Sequence, residues 1–208
     1  MSEEQKRPPE GREENLSGGD AFKVDLYFWL QALVMALVSL ILLFTFVGRV
    51  IGVQGSSMVP TLHDKDMLLL QSIGYEPKPG DIVVLTKESF MAQPIVKRVI
   101  AVGGQTVDID YAAGTVAVDG VALEEDYINE AMYELPPDYA THVEVPKGSI
   151  FVMGDNRNHS NDSRDARLGT VDVRCVIGQA VVLAFPGPDE ATGQRDFGRV
   201  GLMGGVDA

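Results

Sequence analysis

The chain has 208 residues, enough for an anchoring segment and one domain with a real core. A formal charge of −13 and a pI near 4.5 exclude the basic faces that nucleic-acid binders carry, so no nucleic acid is expected as a partner. A single cysteine, Cys175, excludes an internal disulfide and any cysteine-based metal cluster, and His63, His142 and His159 lack metal-ligand spacing; no metal and no cofactor is expected.

Residues 1–24 are rich in Glu, Gly, Pro and Arg and hold almost no large apolar residue before Phe22. Such a composition buries too little surface to offset ordering, and a disordered tail is expected. From 26 to 47 the sequence reads LYFWLQALVMALVSLILLFTFV, without a charge. At about 1.5 Å per residue a helix of this length spans a hydrocarbon core of roughly 30 Å. Tyr27 and Trp29 sit at its start, where interfacial aromatics belong. The run is too long for the apolar core of a cleaved signal, and no small-x-small site with a suitable mature start follows closely. An uncleaved anchor helix over 25–48 is therefore expected. Lys6, Arg7, Arg12 and Lys23 precede it, while Arg49 alone follows closely. The positive-inside rule then places the N-terminus in the cytoplasm and residues 50–208 outside, in a single-pass protein of the cell membrane.

Beyond the anchor no long segment has helical periodicity. Short runs rich in Val and Ile recur at 67–70, 82–85, 95–102, 107–109, 115–118, 150–153 and 179–185, separated by Gly, Pro and Asp. This pattern predicts an all-β domain, placed over 49–186. Asp119-Gly120 between 115–118 and 121–123 is a two-residue hairpin signal. The alternation around Cys175 reads as a strand with a buried structural thiol. Residues 124–145 are acidic and proline-broken, an excursion from the sheet. The stretch 187–208 is Gly-rich and reads as a loosely packed tail.

Three stretches carry chemistry. Residues 55–62, Gly-Ser-Ser-Met-Val-Pro-Thr-Leu, form a small-residue turn followed by a proline-fixed extended segment, which suits an exposed hydroxyl. Most such turns are only turns. A serine nucleophile needs a base, and the spacing of the three histidines suggests no His–Asp pair. Lys97 lies inside the apolar run 95–102, where alternation can point it to the sheet's apolar face. Burial lowers a lysine pKa from about 10.4 by as much as roughly 3–5 units, which frees a neutral amine as general base. The competing reading is an edge-strand charge facing solvent, with Arg98 on the opposite face as a structural charge. The polar loop 154–164 has three readings. It is an exposed turn, or a calcium loop using Asp155, Asn158 and Asp162 without the usual terminal glutamate, or support for the lysine through a hydroxyl and an Asp162–Arg164 pair.

Four blocks occur in a fixed order after the anchor: Ser57-Met58-Val59-Pro60-Thr61-Leu62, Gly80-Asp81-Ile82-Val83-Val84, Lys97-Arg98-Val99-Ile100-Ala101-Val102-Gly103-Gly104, and Gly154-Asp155-Asn156-Arg157 with Ser160 and Asp162-Ser163-Arg164. Together they resemble the bacterial type I signal peptidases, membrane-anchored Ser/Lys endopeptidases. The resemblance runs from the anchor to about residue 185. It implies a coiled antiparallel β-sheet domain of the signal-peptidase and SOS-repressor Ser/Lys protease kind. It also implies cleavage of signal peptides from exported preproteins after small-x-small sites, through an acyl-enzyme, with the lipid bilayer as the other partner and a monomer expected. Residue by residue, Ser57 matches the nucleophile, with Ser56 only its neighbour, and Lys97 matches the general base. Ser57 N–H and Gly55 N–H match the oxyanion donors, and Ser160 the hydroxyl that orients the amine. Asp162 and Arg164 match a structural ion pair, with Asp155 and Arg98 also supporting. Met58 and Pro60, with the strand near 67–70, are expected around the substrate pockets. The sequence departs from the family pattern at Asn158-His159 and Leu168-Gly169, which touches loop packing and not the Ser57–Lys97 pair. A dedicated Ser/Lys protease with one substrate, or a tethered β-domain that binds without catalysis, remains the alternative.

Overall fold

The computed structural model describes residues 18–46, 49–133, 139–189 and 192–203. Two compact units divide it, Met1–Leu43 and Phe44–Ala208. The first holds all but the last three residues of the helix α1 (Gly18–Phe46), which begins inside the expected tail; the rest of that tail lies outside the described residues. No glycine or proline interrupts 20–46, and Leu, Ala and Met favour the helix. Large apolar side chains from Leu26 to Ile41 are exposed on every face. Among the residues described in full, no helix is long and apolar enough to cross a membrane. The side chains of 42–48, where the expected span ends, lie outside that description.

The second unit is mostly β-sheet. Its strands are β1 (Arg49–Gly52), β2 (Met67–Gln71), β3 (Ile82–Lys87), β4 (Met91–Val102), β5 (Thr106–Asp110), β6 (Thr115–Val118), β7 (Val121–Ala122), β8 (His142–Glu144), β9 (Ser149–Met153), β10 (Val171–Asp172), β11 (Val176–Phe185) and β12 (Gly201–Leu202). The larger sheet runs β1-β2-β11-β3-β4-β9-β10, with β12 also on β11, and the smaller runs β7-β6-β5-β8. Neighbours in both sheets pair antiparallel. Ile100, Phe151 and Met153 of the large sheet pack with Val107, Val116 and Val118 of the small one, so the two sheets share a core. β3 and β4 are central in the large sheet, which is why Val83, Val84 and Leu85 are all fully buried without alternation.

All seven expected runs are strands. Asp119 (φ 51°) and Gly120 (φ 79°) both have the positive φ of a type I′ turn between β6 and β7. Two expectations need correction. Cys175 is half-buried and ends a 3-10 turn (Val173–Cys175) that interrupts the strand pattern, because Asp172 caps the Arg174 N–H. The segment after 186 is built in over 187–189 and 192–203. It contains a 3-10 turn (Phe197–Arg199) capped by Asp196 and the strand β12.

Lys65 is a non-glycine residue at φ 64°, where a Cβ crowds the following carbonyl at roughly 1–2 kcal/mol. Its exposed side chain contributes little packing. Lys65→Gly should therefore raise the thermal midpoint by about 1–4 °C, the gain being partly offset by a looser unfolded chain. Lys65→Val should lower it. Thermal unfolding of both variants followed by circular dichroism checks the sign.

Candidate active site

The loop between β1 and β2 carries Ser57. Its base is closed by Val53 N–H donating to Asp66 O (2.8 Å) and Lys65 N–H to Val53 O (2.9 Å). Its tip is tightened by Val59 N–H to Ser56 O (3.2 Å) and Leu62 N–H to Met58 O (2.8 Å), with a cis Val59–Pro60 peptide between. Met58 and Leu62 anchor the turn, both buried in the cluster with Leu68, Leu70 and Val96. The loop 154–164 holds it from the other side. Asn156 donates its backbone N–H to Ser57 O (3.0 Å) and its side-chain amide to Ser56 O (3.1 Å). A Cβ at Gly154 would collide with Ser57 O and Ser160 Oγ, so only glycine lets the two loops approach this closely.

β4 brings Lys97 to this turn. Its Nζ lies 2.7 Å from Ser57 Oγ and donates to Val96 O at 2.9 Å. The side chain is 3% exposed. Burial lowers its pKa to about 8; the carboxylates of Asp162 and Asp155 oppose that shift and Arg164 adds to it. The solvent-facing reading of Lys97 fails because β4 is central in the sheet and its residues 96–101 are all buried. Arg98 is likewise buried, and its fork grips Asp155 through Nε (2.8 Å) and Nη2 (2.7 Å) while Nη1 donates to Gly80 O (2.9 Å). Thr61 Oγ1 donates to Asp155 Oδ2 (2.5 Å), tying the nucleophile loop to the same carboxylate.

Asp162 and Arg164 form a second fully buried fork, at 2.8 Å for both Nε–Oδ1 and Nη2–Oδ2. Burial alone would raise the Asp162 carboxyl, but the Arg164 guanidinium and the Gly154 N–H outweigh it and hold it below the usual carboxylate range. Asp155 and Asp162 are thus each committed to an arginine, and Asn158 donates to Glu130 and Ala131 O. The calcium reading of the loop does not survive this geometry.

The structure does not bring every expected residue to the pair. Ser160 is buried beside Ser57, but its hydroxyl lies against Asp162, and Lys97 Nζ donates to Val96 O instead. The Gly55 N–H, expected as an oxyanion donor, is bonded to Asp64 Oδ1 at 2.8 Å. Among the described residues no acceptor takes the Ser57 N–H. Met58 is a core residue and Pro60 an exposed one, and neither lines the cleft beside Ser57. That cleft, about 240 Å³, is instead bounded by Gln54, Met91, Gln93, Ile95, His159 and Asn161 around Ser57 and Lys97.

Residues 26–185 match the family model described as signal peptidase, peptidase S26. The chain belongs to this signal peptidase family. It is 39% identical over 165 residues to a probable signal peptidase I-1 of Synechocystis, covering 74% of this chain and 80% of that relative. Over 174 residues it is 36% identical to a signal peptidase I of Bacillus licheniformis, covering 79% of this chain and 91% of the other. A signal peptidase I crystal structure from Enterococcus faecalis is 30% identical and aligns with 50% of this chain and 97% of its own, at a TM-score of 0.40. The chain is accordingly a hydrolase, an endopeptidase of the type I signal peptidase kind.

The excursion 124–145 supplies partners that sequence reading alone did not assign in this signal peptidase. Glu125 forks Arg157 (2.8 and 2.5 Å), and the Tyr127 ring lies 4.1 Å from the Arg98 guanidinium. Asn129 N–H donates to Asp155 O (3.1 Å). Residues 154–164 hold two arginines and two aspartates, so nothing in the loop itself signals that Asp155 is taken by Arg98 and that Arg157 must find its acid in Glu125.

Proposed function

We propose that the protein removes signal peptides from exported preproteins, with Ser57 as nucleophile and Lys97 as general base. The observation that carries the reading is the 2.7 Å contact between Lys97 Nζ and Ser57 Oγ, with the amine buried enough to lose its proton near neutrality. Ser57 Oγ attacks the scissile carbonyl as its proton passes to Nζ. The tetrahedral intermediate collapses when Nζ returns that proton to the departing amine, leaving an acyl-enzyme. Water then attacks the ester with Lys97 again taking the proton, and the carboxylic acid and free Ser57 are released. The oxyanion faces the Ser57 N–H; Gly55 joins only if its bond to Asp64 is exchanged for the reacting oxygen. Small side chains one and three residues before the cut fit a cleft of this size. Residues 25–48 anchor the β domain that begins at 49 outside the cytoplasm, which keeps enzyme and membrane-inserted signal peptide in one plane.

Cleavage of a preprotein carrying Ala-x-Ala before its junction, followed by product mass in detergent, tests the reading. Wild type and Ser56→Ala should cleave at one site, and Ser57→Ala should not. A folded wild type inert on several preproteins would favour the dedicated-substrate or binding-domain alternatives. Activity surviving in Ser57→Ala but lost in Ser56→Ala would move the nucleophile by one residue.

A further inference from the structure

The segment beyond the family match returns to the nucleophile loop and meets it at one carboxylate. Asp66 is fully buried and accepts from Arg199 Nη1 (3.1 Å), Arg199 Nη2 (2.7 Å), the Gly187 N–H (2.6 Å) and the His63 N–H (2.8 Å). Arg199 Nη2 also reaches Thr61 O (3.3 Å). Three of the four bonds to Asp66 thus come from 187–199, outside the matched residues 26–185. Contact is intimate: a Cβ at Gly187 would collide with Asp64 O. Arg199 is itself held on both sides, by the Asp196 cap on the Gly198 N–H and by Leu202 pairing with Val182 in β11.

On its other side Asp66 closes the loop that carries Ser57. Its carbonyl receives the Val53 N–H, and the adjoining Asp64 holds the Gly55 N–H. Without Arg199 this carboxylate would be a buried charge short of its counter-ion. It would turn toward solvent and take the 63–66 turn, Val53 and Gly55 with it. Thr61, earlier in the same loop, bonds Asp155.

We propose that Arg199 is a positioning residue for the peptidase reaction: through Asp66, the segment 187–203 sets the geometry of the loop that presents Ser57. The inference rests on the reading of Ser57 and Lys97 as the reacting pair. Full-length protein in detergent would be assayed on the preprotein as wild type, Arg199→Gln and Arg195→Gln, with backbone amide exchange followed by mass spectrometry. Arg195 is the control, since it lies on the same segment but bonds Pro186 O and covers the Phe185 ring. Arg199→Gln should lower kcat by about 10–100-fold, the scale of a small misplacement of reacting atoms, with a much smaller change in KM. The pH midpoint near 8 should stay, because Lys97 keeps its burial. Exchange should quicken across 53–66 and not across 95–102 or 150–153, and Arg195→Gln should match wild type. An unchanged kcat, a loss confined to KM, or exchange that rises uniformly overturns the proposal. If Arg199→Gln does not fold, Asp66→Asn with Arg199→Gln leaves no buried charge unpaired and takes its place, and a wild-type kcat there overturns the proposal equally. A wild type inert on every preprotein overturns the functional reading itself; an active wild type with an unaffected Arg199→Gln overturns this inference alone.

Discussion

Lys97→Met should yield a protein that no longer cleaves preproteins and is nevertheless more stable than the wild type. Loss of the general base costs roughly 10²–10⁴-fold in rate. The gain in stability has a separate origin. Burial brings the Lys97 pKa from 10.5 down to about 8, a difference worth about 3 kcal/mol at about 1.4 kcal/mol per unit. Because the folded pKa is the lower one, the penalty is full below pH 8, where folding must carry a buried ammonium. It fades as pH rises from 8 to 10.5 and the unfolded chain loses its proton too. Urea titrations at pH 6.5 and pH 10.5 should show the Lys97→Met advantage at the first and little of it at the second. Wild-type kcat/KM should climb about tenfold per pH unit below 8 and level off above it. An advantage independent of pH would mean that the methionine stabilises by packing, and a flat activity profile would remove Lys97 as the base.

The second large effect is expected at the Arg98–Asp155 fork, where the side chains are 2% and 0% exposed. Asp155→Ala strands a guanidinium under the Tyr127 ring and frees Thr61 from its acceptor. Breaking one side of a buried pair costs about 3–5 kcal/mol, a drop of roughly 8–16 °C in a domain of this size. Arg98→Met with Asp155→Leu should recover much of that loss, since neither charge is then left alone. Activity should not return with it, because Thr61 has lost its tether to the 154–164 loop. The exposed Arg174–Asp172 pair has similar hydrogen bonds, yet Asp172→Asn, which removes the charge and keeps a cap for the Arg174 N–H, should leave the midpoint almost unmoved. Calorimetry of the four proteins separates burial from hydrogen-bond geometry as the source of the effect. Equal losses at the two aspartates would contradict it.

The strands could be read because Val and Ile runs bounded by Gly, Pro and Asp report local preference, and 115–118 coincides with β6 to the residue. Ser57 and Lys97 stand out as a candidate pair because their blocks are short and contiguous, and the fold brings their side chains to 2.7 Å. What escaped was set by pairing over long separations. β1, β8, β10 and β12 are two to four residues each, too short to show a period, and exist because a neighbour completes them. Met58 read as a substrate contact because it adjoins the nucleophile, but a turn this tight needs a side chain driven into the core, and Met58 supplies it. Gly55 read as a donor because nothing local reveals that Asp64 folds back nine residues to take its N–H. The Arg199–Asp66 pair spans 133 residues and leaves no local pattern at either end.

Gly154 carries no functional group, yet the close approach of the Ser57 backbone and the Ser160 side chain depends on it. What it contributes is vacancy: a volume the size of one methyl group that must stay clear of any side chain. Selection on this chain therefore has to guard an empty space as strictly as it guards a hydroxyl or an amine. No exchange of similar residues is conservative there, because alanine, the smallest replacement, already fills the gap between the Ser57 carbonyl and the Ser160 side chain.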